Sequence, residues 1–167
     1  FGAVQLAIYS FATLVPEKIR GLFKFFAVIA LPKFSEKTTT NKESLYLSSA
    51  HKTKILMVFA LCLSIFYIIS AGFIYHLLFP SYEGSVIYSQ IYSLSFIGAI
   101  SIVPLTFLTA IRSQKFLYIY NIASPVVQII LLGIMIYYYG LWGAIIAKII
   151  SVILNLIFLI QTSKKYH

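Results

Sequence analysis

Three long stretches of this chain contain no Asp, Glu, Lys or Arg: 28 residues over 55–82, 28 over 84–111 and 32 over 116–147. Only Glu83, Arg112 and Lys115 bring charge between them. A bilayer core about 30 Å thick is crossed by about 20 apolar residues in a helix. Each stretch is long enough to do so. A soluble domain carries about 25% charged residues, and this chain carries 10%. The sequence therefore predicts an all-α chain, a polytopic transmembrane helical bundle, whose function rests on the few polar groups it places in the membrane.

The net charge of +9 does not point to nucleic acid, because the basic residues gather at the ends of the apolar runs, where they set membrane orientation. Cys62 is the only cysteine and lies inside a run. It offers neither a disulfide nor a metal pair and reads as a small packing residue. The chain opens at Phe1 inside an apolar stretch, with no basic start and no small-residue cleavage site. The reading expects a portion of a longer chain with spans upstream.

The whole of 1–167 reads as one membrane region with about five helices, over 3–31, 54–79, 85–111, 115–138 and 141–162. Pro32 is expected to end the first, since the residue before a proline disfavours helix. Pro104 is expected to kink the third. Residues 33–53 form a polar loop in which Glu43 to Ser49 suit a helical turn on the membrane surface. Lysine-rich and lysine-poor loops alternate. The positive-inside rule then puts the 33–53 loop, the Arg112 loop and the C-terminal tail in the cytoplasm. The turns at Tyr82 and Gly140 face outward. Tyr75, Tyr82, Tyr88, Tyr137, Tyr138 and Tyr139 would form the outer aromatic belt, and Tyr118 and Tyr120 the inner one.

The first helix has a charged waist of Glu17, Lys18, Arg20 and Lys24. A charge at the bilayer centre costs at least about 2.5–3.5 kcal/mol on insertion scales, so such residues pair or face water. Glu17, Arg20 and Lys24 are spaced i, i+3 and i, i+4 on one face. That face would line a hydrated cavity suited to phosphate or another anion, with Arg20 as a bidentate fork. The competing reading breaks the chain at Pro16 and leaves the charges in a surface loop. Lys148 is a second intramembrane cation, on a face with Ala144, Val152 and Asn155. It would line the cavity, pack on a buried partner or snorkel to an interface. Asn121, Pro125 and Gln128 fall on one face of the fourth helix, and Asn121 and Gln128 are candidates for the same polar cavity.

The Ser and Thr residues of the spans are expected to bond their own backbone or a neighbouring helix. Gly143, Ala147 and Ser151 form a small-residue ridge for close helix packing. His51 and His76 have no partners at metal-binding spacing. No phosphate loop or catalytic triad pattern occurs, and Asp is absent from the chain. No catalytic residue, metal site or cofactor is expected.

Three stretches in order resemble the Wzx-type polysaccharide flippase family, part of the multidrug/oligosaccharidyl-lipid/polysaccharide exporter superfamily. The first is Ala7-Ile8-Tyr9-Ser10-Phe11-Ala12 with Glu17 and Ala30-Leu31-Pro32-Lys33-Phe34-Ser35. The second is Leu77-Leu78-Phe79-Pro80-Ser81-Tyr82, with Pro80 where the family usually has glycine. The third is Tyr139-Gly140-Leu141-Trp142-Gly143-Ala144-Ile145-Ile146-Ala147-Lys148-Ile149-Ile150-Ser151. The resemblance implies part of the C-terminal lobe of a larger two-lobed transporter, about helices eight to twelve, partnered by an N-terminal lobe of the same protein. It also implies a function, moving an undecaprenyl-pyrophosphate-linked oligosaccharide across the cytoplasmic membrane for O-antigen or other polysaccharide synthesis. Its partners would be membrane lipid and lipid-linked oligosaccharide. On the physical argument, Arg20, Lys18, Lys24 and Lys148 would meet the anion, and Glu17, Asn121 and Gln128 would line the polar cavity.

The alternatives are a multidrug or metabolite antiporter or a lipid II flippase of the same superfamily. A non-transporting assembly subunit or a truncated remnant also stays open. A membrane enzyme would need acidic or metal-binding loop motifs, which these loops lack.

Overall fold

In lipid a backbone must satisfy its polar groups internally, and the apolar runs of this chain do so as helices. The computed structural model describes the backbone of residues 2–37, 42–110 and 114–165, and the side chains of 2–22, 51, 53–109 and 116–163. The helices are α1 (Ala3–Lys37), α2 (Lys42–Leu78), α3 (Val86–Tyr92), α4 (Ile102–Ala110) and α5 (Gln114–Lys165). Two 3₁₀ segments, Pro80–Ser85 and Ser93–Ser101, flank α3. No strand occurs among the described residues, so the chain is all-α. Three segments are long and apolar enough to cross a membrane: Thr53–Leu78, Pro80–Thr109 and Phe116–Ser163.

The last of these is 48 residues long, about twice what one crossing needs. It folds back on itself at Gly140, which sits at φ 57° and ψ −132°. That is the first corner of a type II′ turn, a conformation that favours glycine. Beyond the corner the two arms run antiparallel. The ring of Phe158 lies 5.5 Å from that of Phe116 and 6.4 Å from that of Tyr120. The arms correspond to the helices expected over 115–138 and 141–162. At the tip Tyr137, Tyr138 and Tyr139 are exposed, and Trp142 packs on Tyr88 with ring centroids 4.6 Å apart.

Other boundaries differ from the sequence reading. Helix α1 continues through Pro32 to Lys37 instead of ending there. A proline removes one ladder bond, which costs a long helix less than abandoning the rest. Much of the expected 33–53 loop is helical too, because α2 starts at Lys42 and takes in the turn expected at Glu43 to Ser49. The helix expected over 85–111 is one crossing wound in three parts, α3, Ser93–Ser101 and α4. Tyr75 does not join an outer belt: it is fully buried and its hydroxyl donates to the Phe11 carbonyl at 2.6 Å.

The three-part crossing is the centre of the fold. It contacts α1, α2 and α5, and 61% of its most apolar stretch is buried against 22% for Thr53–Leu78. One core cluster joins Ala60, Tyr67 and Ala71 of α2 to Phe96, Ile100 and Leu156. On the far side of α2, Ile65, Ile69 and Phe73 are exposed at helical spacing. Such a continuous apolar face is rare on a soluble monomer and suits lipid.

Most hydroxyls behave as expected and bond carbonyls three or four residues back. Thr106 donates to Ile102, Ser151 to Ala147 and Thr162 to Phe158. Two from α2 cross to the central span: Tyr67 Oη shares a 2.6 Å bond with Ser89 Oγ, and Ser64 Oγ donates to the Ser93 carbonyl at 3.1 Å.

The hairpin and the central span approach closely at Gly98, where a Cβ would stand 2.6 Å from Val152 Cγ1. Valine is stiff about χ1, so Gly98→Ala is expected to destabilise the fold by about 1–3 kcal/mol through overpacking. Unfolding in graded SDS measures this. Gly72→Ala, where nothing lies within 4 Å of the added carbon, is the control expected to cost nothing.

Candidate functional site

The waist of α1 turns polar groups toward the central span. Pro16 does not break the chain: α1 runs through it. Just before it, the Thr13 hydroxyl reaches back to the carbonyls of Tyr9 and Ser10. The surface-loop reading of the waist therefore fails, and Glu17 and Arg20 stand on a helix packed against the central span.

Tyr92 of α3 donates its hydroxyl to Glu17 Oε1 at 2.8 Å. The same carboxylate oxygen lies 3.9 Å from Arg20 Nη2, too long for a hydrogen bond but close enough for an ion pair. Lys148, half-buried on the second arm of α5, lies within electrostatic reach of both Arg20 and Glu17. Among the described residues Lys148 forms no ion pair of its own.

Arg20 and Lys148 line one cavity of about 240 Å³, together with Gly98, Ser101, Tyr120, Gln128 and Asn155. Four elements build it: α1 supplies Arg20, the Ser93–Ser101 segment supplies Gly98 and Ser101, α4 supplies Ile102, and the two arms of α5 supply the rest. At 1.5 Å per helical residue, Lys148 lies about 12 Å from the Gly140 corner, Gln128 about 18 Å and Asn155 about 22 Å. Tyr120 lies about 30 Å from it by the same measure, so the cavity opens along the half of the hairpin away from the corner.

The structure brings together Arg20, Lys148 and Gln128, three of the residues the sequence nominated, with Glu17 beside them. It separates two others. Lys18 is exposed and does not line the cavity, because its place two residues before Arg20 turns it to another side of α1. Asn121 is likewise exposed and does not line the cavity, although Tyr120 beside it does, so its direction on the helix keeps it out. The Lys24 side chain lies outside the described residues.

Sequence reasoning passed over three lining residues. Asn155 was visible as the residue two turns beyond Lys148 on the same face. Tyr120 was assigned to an aromatic belt, and Ser101 was taken as a self-bonded hydroxyl. It does donate to the Gly98 carbonyl, yet it also faces the cavity.

The chemistry of the lining is specific. Arg and Lys supply donors only, the two carboxamides supply donors and acceptors, and the phenol supplies either. Two cations face one carboxylate, which is 48% exposed and so only partly offsets them. The excess positive charge would be relieved by an anion. Among the described residues no three His, Cys, Asp or Glu side chains group as metal ligands. His76 instead bonds Glu83 at 2.8 Å on the exposed end of α2.

No family model, curated protein or solved structure matches the chain.

Proposed function

We propose that this chain is part of a membrane transporter that moves a lipid-linked oligosaccharide, carried on undecaprenyl pyrophosphate, across the cell membrane for polysaccharide synthesis. The observation that carries the reading is the cavity between the packed helices in which Arg20 and Lys148 exceed the single carboxylate, Glu17. A pyrophosphate crossing a bilayer needs cationic, hydrated company on its path, and Arg is suited to bidentate phosphate contacts. The volume is about that of eight liquid waters at ~30 Å³ each. It suits the phosphate group, with Gln128 and Asn155 placed for hydroxyl-bearing neighbours. The resemblance of three ordered stretches to Wzx-type flippases leads to the same substrate. The membrane is the cytoplasmic one, with the C-terminus and residues 33–53 on the cytoplasmic side.

The test uses the full-length protein in vesicles loaded with undecaprenyl-pyrophosphate glycan carrying a fluorophore. Translocation is read as label reached by a membrane-impermeant quencher. The expected result is a rate well above that of protein-free vesicles. No translocation, together with efflux of a cationic dye, would overturn this reading in favour of a multidrug antiporter.

A further inference from the structure

The segment Ser93–Ser101 holds nine residues in 3₁₀ winding, whereas runs beyond three or four are uncommon. Its causes are on the chain. Pro104 has no N–H to give the Ile100 carbonyl, the bond an α-helix would make there. From α2, Ser64 Oγ occupies the Ser93 carbonyl. At the end of the segment the Ile102 N–H bonds the Ala99 carbonyl, also three back.

The winding decides which side chains face the cavity. With three residues per turn, residues three apart eclipse, so Tyr92, Ser95, Gly98 and Ser101 stack in one strip. The top of the strip bonds Glu17, and Gly98 and Ser101 line the cavity with Arg20 and Lys148. From Tyr92 to Ser101 is three whole 3₁₀ turns but about two and a half α turns. The strip exists only in the 3₁₀ form.

One member of the strip is left unsatisfied. Ser95 is fully buried, and its Oγ has no hydrogen-bond partner. A buried hydroxyl left without a partner is unfavourable. In an α-helix a serine commonly bonds the carbonyl four residues back, which here is Ile91. Pro104 and the Ser64 bond to the Ser93 carbonyl therefore favour one winding, and Ser95 the other.

We propose that Ser93–Ser101 is a winding switch: its conversion to α-helix turns Ser101 about half a turn relative to Tyr92, breaks the polar strip beside Arg20 and Lys148, and shortens the central span. At about 0.5 Å per residue the shortening is about 4–5 Å. The switch concerns the wall of the cavity and holds whatever the cavity carries.

The test measures the length of the span in the full-length protein in lipid vesicles. Ile87→Cys and Thr109→Cys, both exposed, take spin labels in a Cys62→Ser background, and double electron–electron resonance reads their distance. The expected distribution has a second population about 4–5 Å shorter. Ser64→Ala or Pro104→Ala should enlarge that population. Ser95→Ala should deplete it. A single distance that none of these variants moves would overturn the proposal, and so would a second population that they leave unchanged. Because the readout is a distance, a failed transport assay does not decide it.

Discussion

Lys148→Gln is expected to slow translocation of the pyrophosphate-linked glycan by about 10- to 100-fold. The estimate follows from a hydrogen bond to a charged group being worth about 1.5–3 kcal/mol, at about 1.4 kcal/mol per factor of ten. Lys148 is chosen over Arg20 because its charge is the less compensated. Arg20 has Glu17 at 3.9 Å, whereas Lys148 has no ion pair among the described residues. Lys148→Glu should have the larger effect, since it places two carboxylates beside one guanidinium and repels the anion outright. Lys148→Arg should retain most activity, as it keeps charge and donors. Initial rates in the quencher assay check all three, with vesicle protein content compared so that poor folding is not read as poor transport. Equal rates for wild type, Lys148→Gln and Lys148→Glu would remove the cavity from the transport path.

The all-α class and the two arms of α5 were legible because both rest on properties that act along the chain: unbroken hydropathy and a glycine between two apolar runs. The cavity was legible in part, because Arg20 and Lys148 are charges that a bilayer does not tolerate without reason. Their meeting with Gln128 was not legible, since it depends on how two antiparallel arms align about Gly140. Lys18 and Asn121 show the limit. Both are polar residues next to ones that line the cavity or pair beside it, yet their direction keeps them out. The three-part winding of the central span was hidden for another reason. Pro104 announced a kink at one point, whereas the actual deviation extends over nine residues, with Ser64 reaching across from α2 to the Ser93 carbonyl. Pro32 and the 33–53 loop erred the other way, because local breakers were given more weight than the demand of a long helix to keep its ladder.

Gly143→Ala is expected to cost about 3 kcal/mol or more, the largest single effect on stability among the glycines of this chain. The added carbon would collide with the Met135 carbonyl of the opposite arm. A backbone oxygen in a helix has no rotamer by which to move aside, so the arms themselves must part, and overpacking of this kind reaches the upper end of the usual range. Gly140→Val attacks the same hairpin through its corner. A β-branched residue at φ 57° and ψ −132° is held in a region that costs about 1–3 kcal/mol. The control is Gly133→Ala, with nothing within 4 Å of the added carbon and a helical backbone that gains about 0.5–1 kcal/mol from alanine. Trp142, the only tryptophan, sits between these glycines against Tyr88, so its emission reports the hairpin tip directly. In graded SDS the Trp142 transition should come earlier for Gly143→Ala than for Gly140→Val, and no earlier than wild type for Gly133→Ala. If Gly143→Ala unfolds with wild type, the arms do not meet at Met135. The alignment that brings Gln128 level with Lys148 would then be wrong as well, because one corner sets both contacts.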